Sequence, residues 1–97
     1  MAQKLFLVHC GFYDADLCDG IYESHVNFFV VAEDFQAARL KAKELAEFKG
    51  KRMHVDGLQE IEAVGGHRVR LEADASLGGA NLVHSLKHRD LAPKPTP

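Results

Sequence analysis

Apolar and polar positions divide the chain into a short series of regular elements. Leu5-Phe6-Leu7-Val8 is apolar at every position, a run of the length expected for a strand buried on both faces, and it ends at His9-Cys10-Gly11. A polar loop from Phe12 to Ile21 follows, carrying Asp14, Asp16, Cys18 and Asp19, with Gly20 as punctuation. A second strand is expected from about Glu23 to Ala32 through Val26, Phe28, Phe29, Val30 and Val31. Asp34 then reads as an N-cap, because its carboxylate can accept from the free amides of a first helical turn. The helix is expected to continue to about Lys49, with Phe35, Ala38, Ala42, Leu45 and Ala46 as an apolar stripe at helical spacing. Gly50 is expected to end it in the left-handed conformation. Leu40 lies off the stripe and is expected at the surface or against a partner.

Beyond the helix, a third strand leads into a hairpin at Gly65-Gly66. A two-residue turn there sets Val64 opposite His67, and Glu60 and Glu62 opposite Leu71 and Val69. A three-residue loop, Gly65-Gly66-His67, instead pairs Val64 with Arg68, Ala63 with Val69, Glu62 with Arg70 and Ile61 with Leu71. The longer loop keeps carboxylates off an apolar face and is the register expected. Gly78-Gly79 marks a break, after which residues 81–89 are expected to form a short helix with Leu82, Val83 and Leu86 inward. Pro93 to Pro97 is a frayed tail in this reading. The order is β-β-α-β-β: a small α+β fold with one main helix on one face of the sheet. The first two strands are antiparallel, and the helix returns the chain so that the third runs parallel to the second. We expect the third to cross over and pair with the first, whose apolar run suits the central position.

Composition narrows what such a fold is for. At 97 residues, with 46% hydrophobic and 27% charged positions, the chain is an ordinary globular one, and a single domain over residues 1–92 is expected. The net charge of −2 argues against non-specific binding to nucleic acid or a membrane surface, since affinity for phosphate-rich partners rests on excess Lys and Arg. No apolar run approaches the roughly 20 residues of a membrane span, and no signal-peptide pattern opens the chain. Cys10 and Cys18 form neither a disulfide framework nor a Cys-x-x-Cys motif. A reduced, cytoplasmic protein is expected.

The candidate chemistry sits in two short pairings, Glu23-Ser24-His25 and His54-Val55-Asp56, in a chain holding six histidines. Alternate residues of a strand point to one face, so each pairing aims both its side chains the same way. Whichever way the third strand pairs, the end of the first strand and the starts of the second and third meet at one edge. His9, Cys10, Glu23, His25, His54 and Asp56 therefore converge there. His25, His54 and Asp56, with Glu23 beside them, make a workable ligand set for zinc or another divalent transition metal; the plainer alternative is a carboxylate that fixes a histidine tautomer. Asp14-Ala15-Asp16 begins like an EF-hand calcium loop, but Gly20 falls one position late and the twelfth position is His25 rather than Glu. Cys10 as a nucleophile needs His25 or His54 as its partner, because His9 faces the other way on a strand. Arg68 and Arg70 share a strand face, and a salt-bridged solvent face accounts for them better than an anion grip.

Taken in order, Leu5-Phe6-Leu7-Val8, the Gly11-Phe12-Tyr13 turn, Glu23-Ser24-His25, Val30-Val31-Ala32, the alanine-rich helix and His54-Val55-Asp56 followed by Leu58 and Ile61 resemble the bacterial family "domain of unknown function fifteen forty-three". The resemblance covers roughly residues 4 to 72. This chain has Gly11-Phe12-Tyr13 and Glu23-Ser24-His25 where the family usually shows Gly-Gly-Tyr and Glu-Leu-His, and one unit where many members have two in tandem. It implies a bacterial origin and Glu23, His25, His54 and Asp56 as positions of interest, and it names no reaction. We therefore expect a binding or assembly module holding a small ligand or a divalent metal at those four residues. The alternative is a small enzyme using His25 or His54 as acid–base with Glu23 or Asp56 as orienter. Both faces of the sheet are apolar and one helix covers only one, so a two-fold homodimer burying on the order of 1,200 Å² or more is expected.

Overall fold

A computed structural model describes residues 2–91, so the tail at residues 93–97 lies outside the described residues. Three strands form the main sheet: β1 (Lys4–Tyr13), β2 (Glu23–Ala32) and β3 (His54–Glu60). Their order is β2-β1-β3, both outer strands antiparallel to β1. The apolar first strand is central and the crossover is made. The fold is α+β.

One face of the sheet is closed. Phe6, Val8, Cys10 and Phe12 of β1 point to it, with Val30 and Ala32 from β2. Helix α1 (Phe35–Lys43) lies across them and buries Ala38 and Ala42. Alanine at two positions one turn apart lets the helix axis approach the strands closely. Phe35, at the stripe's start, is half exposed but sets its ring edge-on against Phe6, centroids 5.1 Å apart. Asp34 caps the helix as expected, its Oδ1 accepting from the Ala37 amide at 2.8 Å. The Lys41 ammonium donates to the Val31 carbonyl, and Leu40 is at the surface.

The helix does not run on to Lys49. It stops after Lys43, Leu45 takes an extended conformation (φ −66°, ψ 136°), and a second short helix, α2 (Ala46–Gly50), follows. The break turns Ala46 outward and Phe48 into the core. Burying a phenylalanine is worth roughly 1.5–3 kcal/mol, more than the net value of about 0.5–1.5 kcal/mol for a helical hydrogen bond. Nor is Gly50 the terminator. Arg52 takes the left-handed position (φ 51°), while the Met53 amide reaches the Phe48 carbonyl at 3.1 Å and the Arg52 amide reaches that of Lys49 at 3.3 Å. This is a Schellman end. Its customary apolar contact joins Met53 and Phe48, both buried in the core, and that contact sets where the helix stops.

The hairpin departs from the expected register. Ala63 pairs with Arg68 and Val64 with His67, in two short strands, β4 (Ala63–Val64) and β5 (His67–Arg68), that form a separate two-stranded sheet. Gly65 and Gly66 both take positive φ (57° and 79°), as the tight two-residue hairpin turn demands. Glu62 meets Arg68 at 3.2 Å in place of Arg70. The expected register assumed an apolar face to protect, whereas residues 62–68 are all exposed. The helix expected over residues 81–89 is absent: among the described residues beyond the hairpin only 3-10 turns appear, at Ala75–Leu77 and His88–Leu91. Leu82, Val83 and Leu86 face solvent rather than the core. The segment packs on no part of the core, and an isolated helix of that length does not hold in water. Among the described residues no helix is long and apolar enough to cross a membrane.

Candidate functional site

Because β1 is central and antiparallel to both neighbours, its end meets the starts of β2 and β3. Gly11 lies opposite His25 on one side and His54 on the other. On the face away from the helix, the side chains of both outer strands lean over Gly11. His54 Nε2 lies 2.8 Å from Glu23 Oε1 and 3.1 Å from Asp56 Oδ1. His25 Nε2 lies 3.3 Å from the same Glu23 oxygen and 3.2 Å from Asp56 Oδ2. The four contacts close into a ring in which carboxylate and imidazole alternate. All four side chains are partly exposed, from 31% for Glu23 and Asp56 to 48% for His54, so solutes reach the ring freely.

Gly11 is the floor of this ring. A Cβ on it would overlap Glu23 Oε1 and stand 2.6 Å from Asp56 Oδ2 and 2.7 Å from His54 Nε2, closer than real Cβ contacts come. Only a residue without a side chain lets groups from the two outer strands meet across the middle one. The backbone of β3 makes a second adjustment. Its pairing with β1 shifts between His9↔Gly57 and Cys10↔Val55, leaving Asp56 as the extra residue of a β-bulge. The shift changes the phase of alternation. Val55 and Leu58 both pack on the core side, while His54 and Asp56 reach the open side. In an unbroken strand Asp56 and Leu58 would share a face.

The four residues singled out in the sequence are thus brought together, and Cys10 is not among them. Its side chain lies on the helix side within the core. Burial pushes the thiol up from its ordinary value, and the Asp56 charge adds to the effect; both disfavour the thiolate a nucleophile needs. The acidic loop is occupied with itself: Asp14 Oδ1 accepts from the Asp16 amide at 2.9 Å.

His9, expected at this edge but not among the four candidate ligands, joins the site. Its Nδ1 is 2.7 Å from Asn27 Oδ1, and its ring stacks on that of His25 with centroids 4.8 Å apart and planes 10° apart. Tyr13 approaches His54, centroids 6.5 Å apart. The usable signal was the phase of β1. His9, Gly11 and Tyr13 share one face and pair with Asn27, His25 and Glu23 in turn. That alignment depends on a register no local pattern supplies.

The ring is chemically under-protonated. Each Nε2 carries at most one hydrogen yet faces two carboxylate oxygens, so two hydrogens serve four contacts. With both imidazoles neutral the two carboxylates give the cluster a formal charge of −2. A cation would offset that charge, and the contacting donor atoms, 2.8–3.3 Å apart, stand close to the roughly 3.3 Å between neighbouring ligands of a tetrahedral zinc.

The model of one protein family, Domain of Unknown Function (DUF1543), matches residues 20–71, more than half of the chain. That span holds Glu23, His25, His54 and Asp56. No curated protein and no solved structure matches.

Proposed function

The chain belongs to the DUF1543 family, whose description assigns no activity, and we propose from the site itself that it is a binding module for a divalent transition metal. The ligands are His25, His54, Glu23 and Asp56. One observation carries this: the closed ring of carboxylate–imidazole contacts above Gly11, which has more acceptors than hydrogens. Mixed nitrogen and oxygen donors favour zinc, manganese, iron or cobalt over calcium. Because the ligands remain exposed, a small anionic molecule can add to the bound ion.

Titration calorimetry with zinc, and cobalt absorption in the visible, test the reading. Wild-type protein is expected to bind, and His54→Ala and Glu23→Gln each to weaken binding or lower its stoichiometry while keeping the wild-type far-ultraviolet spectrum. Wild-type affinity and stoichiometry in both variants sink it. A second reading draws on the 2.8 Å contact of His54 with Glu23, the geometry of an imidazole held by a carboxylate for acid–base work. In that case activity, once a substrate is found, persists in metal-free protein.

We also propose that the module works as a homodimer. The half of the open face away from the ring carries Leu5 and Leu7 beside Phe29 and Val31, and Phe29 is 56% exposed. A second copy covers this patch across a two-fold axis. Light scattering at micromolar concentration reads the mass, and a monomer there removes the assembly reading. The free thiols Cys10 and Cys18 fit a reducing bacterial cytoplasm as its setting.

A further inference from the structure

The geometry points to a pair of divalent transition-metal ions at this site, bridged by Asp56, with His9 as a ligand to the second. The inference rests on the metal-binding reading above and extends it. Two donor sets overlap in the cluster: Glu23, His54 and Asp56 form one, and His9, His25 and Asp56 the other, the donor atoms of each set lying within 4.8 Å of one another.

Asp56 belongs to both sets, and its two oxygens are already divided between them. Oδ1 faces His54 at 3.1 Å and Oδ2 faces His25 at 3.2 Å. A carboxylate that offers one oxygen to each of two imidazoles is placed to offer one to each of two metals, which in bridged centres lie about 3.5–4 Å apart. Its position on the bulge is what turns it to the middle of the cluster. Glu23 Oε1, within reach of both His54 and His25, borders both positions.

His9 is the second line of argument. A single metal held by Glu23, His25, His54 and Asp56 leaves His9 and Asn27 without a part. Yet the Asn27 carbonyl oxygen stands 2.7 Å from His9 Nδ1. Accepting a hydrogen there fixes the tautomer and frees Nε2 as the lone-pair nitrogen, which is how ligating histidines are held from behind. The parallel stacking of His9 on His25 keeps the two rings side by side, as neighbouring ligands of one ion. With His9 added, the donors number three nitrogens and two carboxylates, enough for two ions that each keep positions open to water.

The test is stoichiometry. Wild-type protein is titrated with zinc by calorimetry, and bound zinc is counted by elemental analysis after gel filtration. Two equivalents per chain are expected. His9→Ala should retain one, and Asn27→Ala should weaken the second by about 10–100-fold while leaving the first. Manganese-loaded wild type should show an exchange-coupled paramagnetic resonance spectrum, and manganese-loaded His9→Ala an uncoupled one. A single equivalent in wild type, unchanged in His9→Ala, overturns the pair and leaves the one-metal reading standing. No bound zinc in wild type overturns both. Loss of both equivalents in a folded His9→Ala overturns the assignment of His9 to a separate position. Should His9→Ala not fold, Asn27→Ala decides by the affinity of the second equivalent: a second step as tight as in wild type overturns the assignment of His9.

Discussion

The two faces of the same strands are built to opposite ends. On the helix side, Phe6, Val8, Cys10 and Phe12 alternate inward, and among the described residues no polar side chain is buried. On the other side, the residues between them place His9, Gly11 and Tyr13 among imidazoles and carboxylates. The first face is selected for volume and the second for what can gather over a vacant Cβ position. Stability and chemistry are therefore assigned largely to alternate residues of one strand.

Substitutions on each face sharpen this division. Phe6→Ala, at a fully buried position against Phe35 and the helix, should have the largest effect, a loss of about 3–5 kcal/mol of stability read by urea unfolding. Gly11→Ala should be milder for the fold, at about 1–3 kcal/mol of overpacking, because the groups it displaces are partly exposed and can swing outward. It should nevertheless abolish zinc binding in calorimetry. If Gly11→Ala binds zinc like wild type, the two faces are not divided as described. Asp34→Ala, which removes the cap of the covering helix, should cost about 0.5–2 kcal/mol with zinc binding unchanged. The smallest signal comes from the thiols. Exposed Cys18 should react with a disulfide reagent at once, while Cys10, buried and with its thiol pushed up, should react only on unfolding; equal rates would place Cys10 outside the core.

Much of this division was legible in the sequence, and the parts that were not share a cause. The unbroken apolar run at residues 5–8 announced the central strand, Asp34 the helix start, and the spacing of Glu23 with His25 and of His54 with Asp56 the site. Each of these is a local pattern. The hairpin register, the break at Leu45 and the exposed segment 81–89 depended on which surfaces exist to pack against. Gly65-Gly66 favours the tight turn wherever no core imposes a longer one, and Phe48 interrupts the helix only because a pocket awaits it. At the site, the bulge at Asp56 breaks the alternation from which faces are read. Gly11 is informative only through what it lacks, between strands far apart in the chain.

The contact between Glu23 and His54 spans 31 positions of sequence, and everything between them, β2 and both helices included, forms one loop whose two ends meet in the ring. Closing a loop carries an entropic cost that grows slowly with its length, so the ring acts as a clasp at the loop's base. Loosening it releases both outer strands at the same end. Opening of the sheet should therefore begin at Glu23 and His54, and amide exchange should progress from that end toward Ala32 and Glu60.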